Sequence, residues 1–544
     1  MKGATAVAEI LKQEGVKTIV GYPVNPVLEA AAVADIRPVI VRQERVGLHM
    51  ADAMSRVTSG RTIGVFAMQH GPGSENAFGG VAQAYADSVP LVVIPAGYPR
   101  RLMNIPPNFS SALNMRHVAK WVECVQFADQ IPDALRRAFT QARNGRPRPC
   151  VVEIPTDVLA EELPGPLVYT PSIATRSAPD PVDVARAAEV LVNAKRPLLY
   201  AGQGVHYARA WPQLRALAEL LALPTTTSLQ GKSAFPENHP LSLGSGGRSL
   251  SKALHQFLRD ADVILGIGCS FATTNYGLTM PKGKTVIHAT LDPEDLNKDL
   301  PVQHALVGDA ALVLDALLAE VRSRLKGKPR DAAPVAKEIA ALKAEWMQQW
   351  LPRLTSTEAP LSPYRVIWDL LHTVDPAKTI ITHDAGSPRD QLSPFWECTE
   401  PLTYIGWGKS TQLGYGLGLA MGAKLARPDQ LCVNVWGDAA IGFTGMDFET
   451  CVRERIPILS VLLNNFSMAI ELKVMPVSTE KYRSTDISGH YADFARALGG
   501  HGERVTQPGE IVPALRRAIA KTREGTPALL ECITRKEVDI SVFK

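Results

Sequence analysis

Short apolar runs rich in valine and isoleucine alternate with helical stretches in three successive blocks of the chain. The first block contains Lys17–Gly21, Val39–Val41, Thr62–Met68, Leu91–Ala96 and Val151–Ile154. The second contains Pro197–Ala201, Pro224–Thr227, Val263–Ile267 and Thr285–His288, and the third Thr379–Thr382, Leu431–Trp436, Ile458–Leu463 and Ala528–Ile533. These runs are continuous rather than alternating, as strands buried on both faces require, and strand–helix alternation implies βαβ units with parallel sheets covered by helices. The pattern predicts three doubly wound α/β domains of similar size, over 1–165, 180–330 and 361–544. A Pro- and Ser-rich stretch at 163–180 marks the first linker. A charged stretch at 326–338, a helix near 336–350 and a Pro-containing break at 360–363 lie between the second and third blocks. Periodicity does not order the strands within a sheet.

A chain of 544 residues is too long for one core, which agrees with several domains. The 58 basic residues exceed the 54 acidic ones by only +4, with no Lys/Arg-rich run, so nucleic acid is not an implied partner. The seven cysteines (124, 150, 269, 398, 432, 451 and 532) show no CxxC spacing, and most lie in apolar stretches such as Leu431-Cys432-Val433. Buried, reduced thiols and a cytoplasmic location are expected. The amphipathic start, Ala6 to Lys12 ending at Gly15, lacks the basic and apolar regions of a secretory signal. No apolar run approaches the roughly 18 residues that cross a bilayer, so no membrane partner is expected.

The strongest chemical signal is Val433-Asn434-Val435-Trp436-Gly437-Asp438-Ala439, a strand ending in a Gly-Asp turn. A later strand, Leu459–Leu463, ends in Asn464-Asn465. Singly, a Gly-Asp is usually a turn and an Asn-Asn a loop start. Together, at the same carboxyl edge of a parallel sheet, they bring one carboxylate and one amide oxygen toward a hard cation. Mg²⁺ favours such a site, with few protein oxygens and with ligand phosphates completing the octahedron.

Gly437-Asp438-Ala439 with Asn464-Asn465 resembles the GDG…NN motif of thiamine-diphosphate enzymes. The likeness runs along nearly the whole chain and is nearest to the acetolactate-synthase-like and 2-oxo-acid decarboxylase branch. It implies a pyrimidine-binding first domain, a nucleotide-binding-like central domain and a diphosphate-binding third domain. It also implies thiamine diphosphate and Mg²⁺ as cofactors, with Asp438, Asn465 and the carbonyl of Ser467 on the metal and Gly437, Ala439 and Ala440 beside the diphosphate. Ala439 stands where the family usually has Gly, which a backbone N–H donor tolerates if its φ is negative.

Arg42-Gln43-Glu44-Arg45 through Met50-Ala51-Asp52 resembles the RHEQ segment, making Glu44 the cofactor-activating acid. Thiamine's C2–H is a weak acid, and a carboxylate on the aminopyrimidine favours the tautomer that removes its proton. Gly71-Pro72-Gly73-Ser74-Glu75-Asn76 matches the GPG-x-x-N turn and adds Asn76. Thr411-Gln412-Leu413-Gly414 resembles the segment whose apolar side chain bends the cofactor. It casts Leu413 as the wedge and the Thr411 carbonyl as acceptor from the pyrimidine amine. Gly386 and Ser387, in Asp384-Ala385-Gly386-Ser387, resemble a loop of diphosphate donors.

The same resemblance puts Asn25, Gln69, His70, Phe109, Met468 and Glu471 near the substrate, with Glu471 as a proton relay and His70 as an acid or base. Glu471 is expected to face a dry pocket, which raises a carboxyl pKa. Val474 occupies the place where acetolactate synthases carry a tryptophan that selects the second 2-oxo acid. The paired histidines of pyruvate-type decarboxylases are absent, with only His117 in the stretch 100–120. Acetolactate synthesis itself is therefore not the favoured reading.

The expected activity is carbon–carbon bond lysis or ligation on a 2-oxo acid or related carbonyl compound, through ylide and enamine intermediates. A 2-hydroxyacyl-CoA lyase or oxalyl-CoA-type decarboxylase is the alternative, weakened because no basic cluster for CoA phosphates is visible in the central block. A non-catalytic cofactor-binding homologue is a further alternative, against which the retained Glu44 speaks. FAD is compatible with the central domain, through Ala201-Gly202-Gln203-Gly204, but is not predicted. A nicotinamide enzyme would need Gly-x-Gly-x-x-Gly opening a helix after a strand, and no block has it. The family builds its site between subunits, which implies a homodimer or homotetramer.

Overall fold

The computed structural model describes residues 1–543. Its core is three six-stranded sheets, all of whose strand pairs are parallel. The first sheet holds β1 (Thr18–Gly21), β2 (Arg37–Ile40), β3 (Gly64–Met68), β4 (Leu91–Gly97), β5 (Trp121–Cys124) and β6 (Pro149–Pro155). The second holds β7 (Pro197–Ala201), β8 (Thr225–Ser228), β9 (Ser242–Gly246), β10 (Val263–Ile267), β11 (Thr285–Thr290) and β12 (His304–Val307). The third holds β13 (Thr379–His383), β14 (Tyr404–Ile405), β15 (Leu431–Gly437), β16 (Leu459–Asn464), β17 (His501–Val505) and β18 (Ala528–Ile533). The three doubly wound α/β units expected from the pattern are present.

The first and third sheets share one topology, β2-β1-β3-β4-β6-β5 and β14-β13-β15-β16-β18-β17. The second differs, running β12-β11-β10-β7-β8-β9. Counted within its own unit, that is the order 3-2-1-4-5-6 of dinucleotide-binding sheets.

Two helices join the outer units into one core. Glu44–Arg56 follows β2 and lies against Tyr415–Ala426, and Val46, Leu48 and Met50 share a buried cluster with Leu417, Leu419 and Met421. Small residues let the backbones approach closely. A Cβ at Gly418 would stand 2.9 Å from the Val46 carbonyl oxygen, and one at Gly422 would stand 2.0 Å from that of Met50. Alanine at 422 must therefore push the helices apart. Gly422→Ala is expected to destabilise the protein by about 1–3 kcal/mol or more, read as a lower melting temperature in the absence of any ligand.

A buried polar network closes the same junction. Arg56 bonds Asp52 (2.5 Å), Asp87 (3.3 Å) and the Gly406 carbonyl (3.0 Å), and Tyr415 donates to Asp52 at 2.7 Å. Gln230, from the second unit, donates to Asp87 at 3.2 Å, so all three units meet there. Burial without partners would make these charges costly, and here each carboxylate is hydrogen-bonded. No helix among the described residues is long and apolar enough to cross a membrane.

Candidate active site

In the third sheet β13 and β15 are neighbours, but the chain leaves β13 to form the outer strand β14 before returning to β15. Their carboxyl ends therefore flank a topological switch point, where open α/β sheets leave a crevice. Register pairs Gly437 at the end of β15 with Leu463 of β16, so Asp438 and Asn464-Asn465 emerge side by side as expected.

Asp438 opens the helix Asp438–Thr444 and is only 4% exposed. One carboxylate oxygen accepts the Ala439 N–H at 2.9 Å. The other accepts the N–H groups of Asn465 (3.2 Å) and Ser467 (3.1 Å). Burial raises its pKa, opposed by those N–H donors. The cross-strand bonds fold the 465–467 turn back over the carboxylate. Phe466 takes a left-handed φ of 55° in that turn, and its N–H bonds the Asn464 side chain at 3.0 Å. The Asn465 side-chain oxygen is buried with no hydrogen-bond partner among the described residues, as is the Ser467 hydroxyl.

The remaining predicted cofactor residues of this unit gather around the same edge. Gly386, at φ 83°, precedes the short helix Ser387–Leu392, and a Cβ there would lie 3.5 Å from Ile470 of the following turn. Ala439 lies inside the helix Asp438–Thr444, outside the positive-φ region, so the substitution for Gly costs its backbone nothing, and Ala440 beside it is buried. Leu413 is half-buried against the cluster that joins the outer units, with Thr411 half-buried before it. Gly414 follows at φ 84°, a conformation that favours glycine.

Glu44 begins its helix at the carboxyl end of β2 and is 4% exposed. The Asn76 amide donates to its carboxylate at 3.1 Å, so the RHEQ-like and GPG-x-x-N-like segments meet through those two side chains. The equivalent switch point of the first sheet lies between β1 and β3, and the turns holding Asn25, Gln69 and His70 follow those strands. His70 packs edge-on against Tyr98 at 4.3 Å, and burial lowers its pKa. Val24 in the first turn has a φ of 73°, costly for a β-branched side chain.

Three expectations change. Asn25 caps the helix Pro26–Val33 through its oxygen, and its amide donates to the Met68 and Ile94 carbonyls at 2.9 and 3.0 Å. Its polar atoms tie strand ends together and leave only its surface to a pocket. Glu471, in the short 3₁₀ turn Ala469–Lys473, is exposed, so its own chain supplies no dry surroundings. Met468 and Phe109 are half-buried.

The third concerns the central unit, where a basic group was not visible in the sequence. A cavity of about 750 Å³ lies at the switch point between β7 and β10, and Arg146, Lys282, Lys284 and Lys409 contribute to its wall. Arg146, Lys409 and the Lys282-Gly283-Lys284 pair come from three separate parts of the chain. Lys409 donates to Ser270 at 3.1 Å, and burial, helped by Arg146, lowers its pKa to about 8. Asp292 and Asp295 offset part of this charge by pairing with Arg146.

Three family models match the chain: "Thiamine pyrophosphate enzyme, N-terminal TPP binding domain" over residues 1–120, the central domain of the same enzymes over 184–317, and their C-terminal TPP binding domain over 384–532. The probable acetolactate synthase large subunit of Methanocaldococcus jannaschii is 30% identical over 98% of this chain and 92% of its own. The chain belongs to the thiamine pyrophosphate enzyme family. Among other relatives, the acetolactate synthase isozyme 3 large subunit of Escherichia coli is 30% identical, over 96% of this chain and 93% of its own. The acetolactate synthase large subunit of Haemophilus influenzae is 29% identical, over 96% and 92%. This thiamine pyrophosphate enzyme thus carries both cofactor-binding units in one chain, as the resemblance implied.

Proposed function

We propose that this enzyme forms or breaks a carbon–carbon bond next to a carbonyl, taking a 2-oxo acid as donor, with thiamine diphosphate held by Mg²⁺. One observation carries the reading. A buried carboxylate, Asp438, accepts the backbone N–H of Asn465, whose side-chain oxygen is buried with no hydrogen-bond partner among the described residues. A bare acceptor next to a carboxylate is costly unless a cation completes it, and the all-oxygen set suits a hard one. In the proposal Asp438, Asn465 and the Ser467 carbonyl hold the metal. Gly386, Ser387, Gly437, Ala439 and Ala440 surround the diphosphate. Glu44, positioned by Asn76, holds or moves a proton at the aminopyrimidine, while Leu413 and Thr411 orient it. The bound cofactor supplies an electron sink for the carbanion left when a bond to the carbonyl carbon breaks.

The names of the relatives support ligation as the outcome, and Val474 in place of the selecting tryptophan supports an acceptor other than theirs. Val474 and Tyr482 are 78% and 77% exposed, and Glu471 is exposed beside them. These features support a homodimer or homotetramer in which a partner's first unit completes each site, with Glu471, His70, Gln69, Phe109 and Met468 around the substrate. The basic cavity supports a second reading, in which the ADP part of a CoA ester occupies it, and it fits equally the ADP part of FAD.

Incubating the protein with thiamine diphosphate and Mg²⁺ against 2-oxo acids, aldehydes and acyl-CoA esters, with product analysis, tests both readings. Carbon dioxide release and a new carbon–carbon product are expected from 2-oxo acids. Turnover confined to acyl-CoA esters would replace the first reading by the second.

A further inference from the structure

Asp384 is fully buried at the end of β13, and its own N–H continues the sheet by bonding the Val435 carbonyl of β15 at 2.8 Å. Its carboxylate forms no ion pair among the described residues. Instead it accepts three backbone N–H groups, those of Ala385 (2.8 Å), Gly414 (2.9 Å) and Gly416 (2.9 Å). Two of these donors lie some thirty residues on, in the segment that carries Thr411 and Leu413.

The surroundings are shaped to this grip. A Cβ at Gly416 would stand 2.8 Å from the His383 carbonyl oxygen and 3.2 Å from the Asp384 carboxylate, so only glycine lets that N–H approach. Gly414 turns its N–H inward at φ 84°, and the Thr444 hydroxyl holds its carbonyl from the opposite side at 2.8 Å. Thr444 ends the helix that Asp438 begins. A carboxylate without a cation is an expensive way to fill such a space, since an apolar side chain of similar volume avoids the desolvation. What the carboxylate adds is directionality, because two oxygens fix two separated N–H groups relative to β13.

We infer that Asp384 is a positioning residue that locks the Thr411–Gly416 segment to the Gly386–Ser387 loop, so that the aminopyrimidine contacts and the diphosphate contacts are held as one rigid unit. The inference rests on the thiamine reading proposed above. In this role Asp384 touches neither the cofactor nor the substrate, and it acts through the backbone of Gly414 and Gly416.

Asp384→Asn separates shape from charge. The amide keeps the volume but offers one acceptor oxygen and an N–H₂ group, which must face one of the backbone donors. A buried donor without an acceptor corresponds to about tenfold or more in an equilibrium. Two readouts need no substrate: the affinity for thiamine diphosphate with Mg²⁺, and, at saturating cofactor, the rate at which its C2 proton exchanges for deuterium after acid quench. Asp384→Asn is expected to weaken binding about tenfold and to slow exchange by about tenfold to a hundredfold at saturation, with unchanged far-ultraviolet circular dichroism.

Exchange at the wild-type rate in saturated Asp384→Asn would overturn the inference. If that variant does not fold, Thr444→Val frees the same segment from its other side and is judged by the same exchange rate. No cofactor binding by the wild-type protein would instead remove the thiamine reading beneath it, an outcome distinct from either.

Discussion

Asp438→Ala is expected to abolish the rise in melting temperature that thiamine diphosphate with Mg²⁺ gives the wild-type protein. Ligand stabilisation follows RT ln(1 + [L]/Kd), about 2.7 kcal/mol at a hundredfold excess over Kd, and it grows with cofactor concentration. Alanine removes the single charged oxygen donor of the proposed metal site. It also strips the acceptor from the Asn465 and Ser467 N–H groups, each bonded to the same carboxylate oxygen. The turn that presents the Asn465 side-chain oxygen then loses the contact that folds it over β15. Both losses act on the loaded state, so the variant should show little shift at cofactor concentrations that saturate the wild type.

The comparison must be of shifts and not of melting temperatures in the absence of ligand. Burial raises the pKa of Asp438, so its charge is held in the empty protein at a cost. Removing it can leave the unliganded protein as stable as before while the response to cofactor disappears. Asp438→Asn is a useful companion, since it keeps the side-chain volume and one acceptor but removes the negative charge offered to the metal. Its shift should be intermediate. Equal shifts in wild type and Asp438→Ala would take Asp438 out of the metal site.

How far the sequence carried is clearest in the strands. Each strand that the apolar pattern missed is an edge strand: β5, β9, β12, β14 and β17. An edge strand has a neighbour on one side only and need not be apolar throughout. β5 is Trp-Val-Glu-Cys, half-buried at every position, and β17 is His-Gly-Glu-Arg-Val. Interior strands announce themselves because both faces are covered, as in β4, where all of Leu91 to Gly97 is buried. The order of strands was not legible, since it depends on which crossover passes over which face. The difference between the outer sheets and the central one, with the cavity at its switch point, emerged only from the fold.

The site divides along a similar line. Asp438, Asn465, Glu44 and Asn76 lie within short motifs; the structure brings Asp438 and Asn465 together as the spacing implied, and it also joins Asn76 to Glu44. Groups that act across long distances in sequence were hidden. Arg146 and Lys409 share one cavity wall although neither sits in a basic run. In the sequence Asp384 stands out only as a neighbour of Gly386, yet its partners are Gly414 and Gly416. A polar residue directly after a wholly buried strand was the one available hint, because such a position must find its hydrogen bonds inside the fold. The exposure of Glu471 was hidden for a different reason, since a short motif does not show how the chain around it packs.

Glu44→Gln should separate binding from chemistry. Glu44 is 4% exposed and held by the Asn76 amide at 3.1 Å, and glutamine can keep both the volume and an acceptor for that bond. The fold and the affinity for thiamine diphosphate with Mg²⁺ should therefore change little, and the melting shift should persist. What glutamine cannot do is carry a proton between an oxygen and the aminopyrimidine nitrogen. General acid–base groups contribute about 10²–10⁴-fold to rate, so both C2-proton exchange at saturating cofactor and turnover of the 2-oxo acid found by product analysis should fall by that order. Asn76→Ala should fall less, because it loosens the carboxylate without removing it. A metal-site defect lowers affinity first and is rescued by more Mg²⁺, whereas the Glu44→Gln defect should be insensitive to both cofactors once they saturate. Exchange and turnover at wild-type rates in Glu44→Gln would assign the proton transfer to another group and leave Glu44 a buried partner of Asn76.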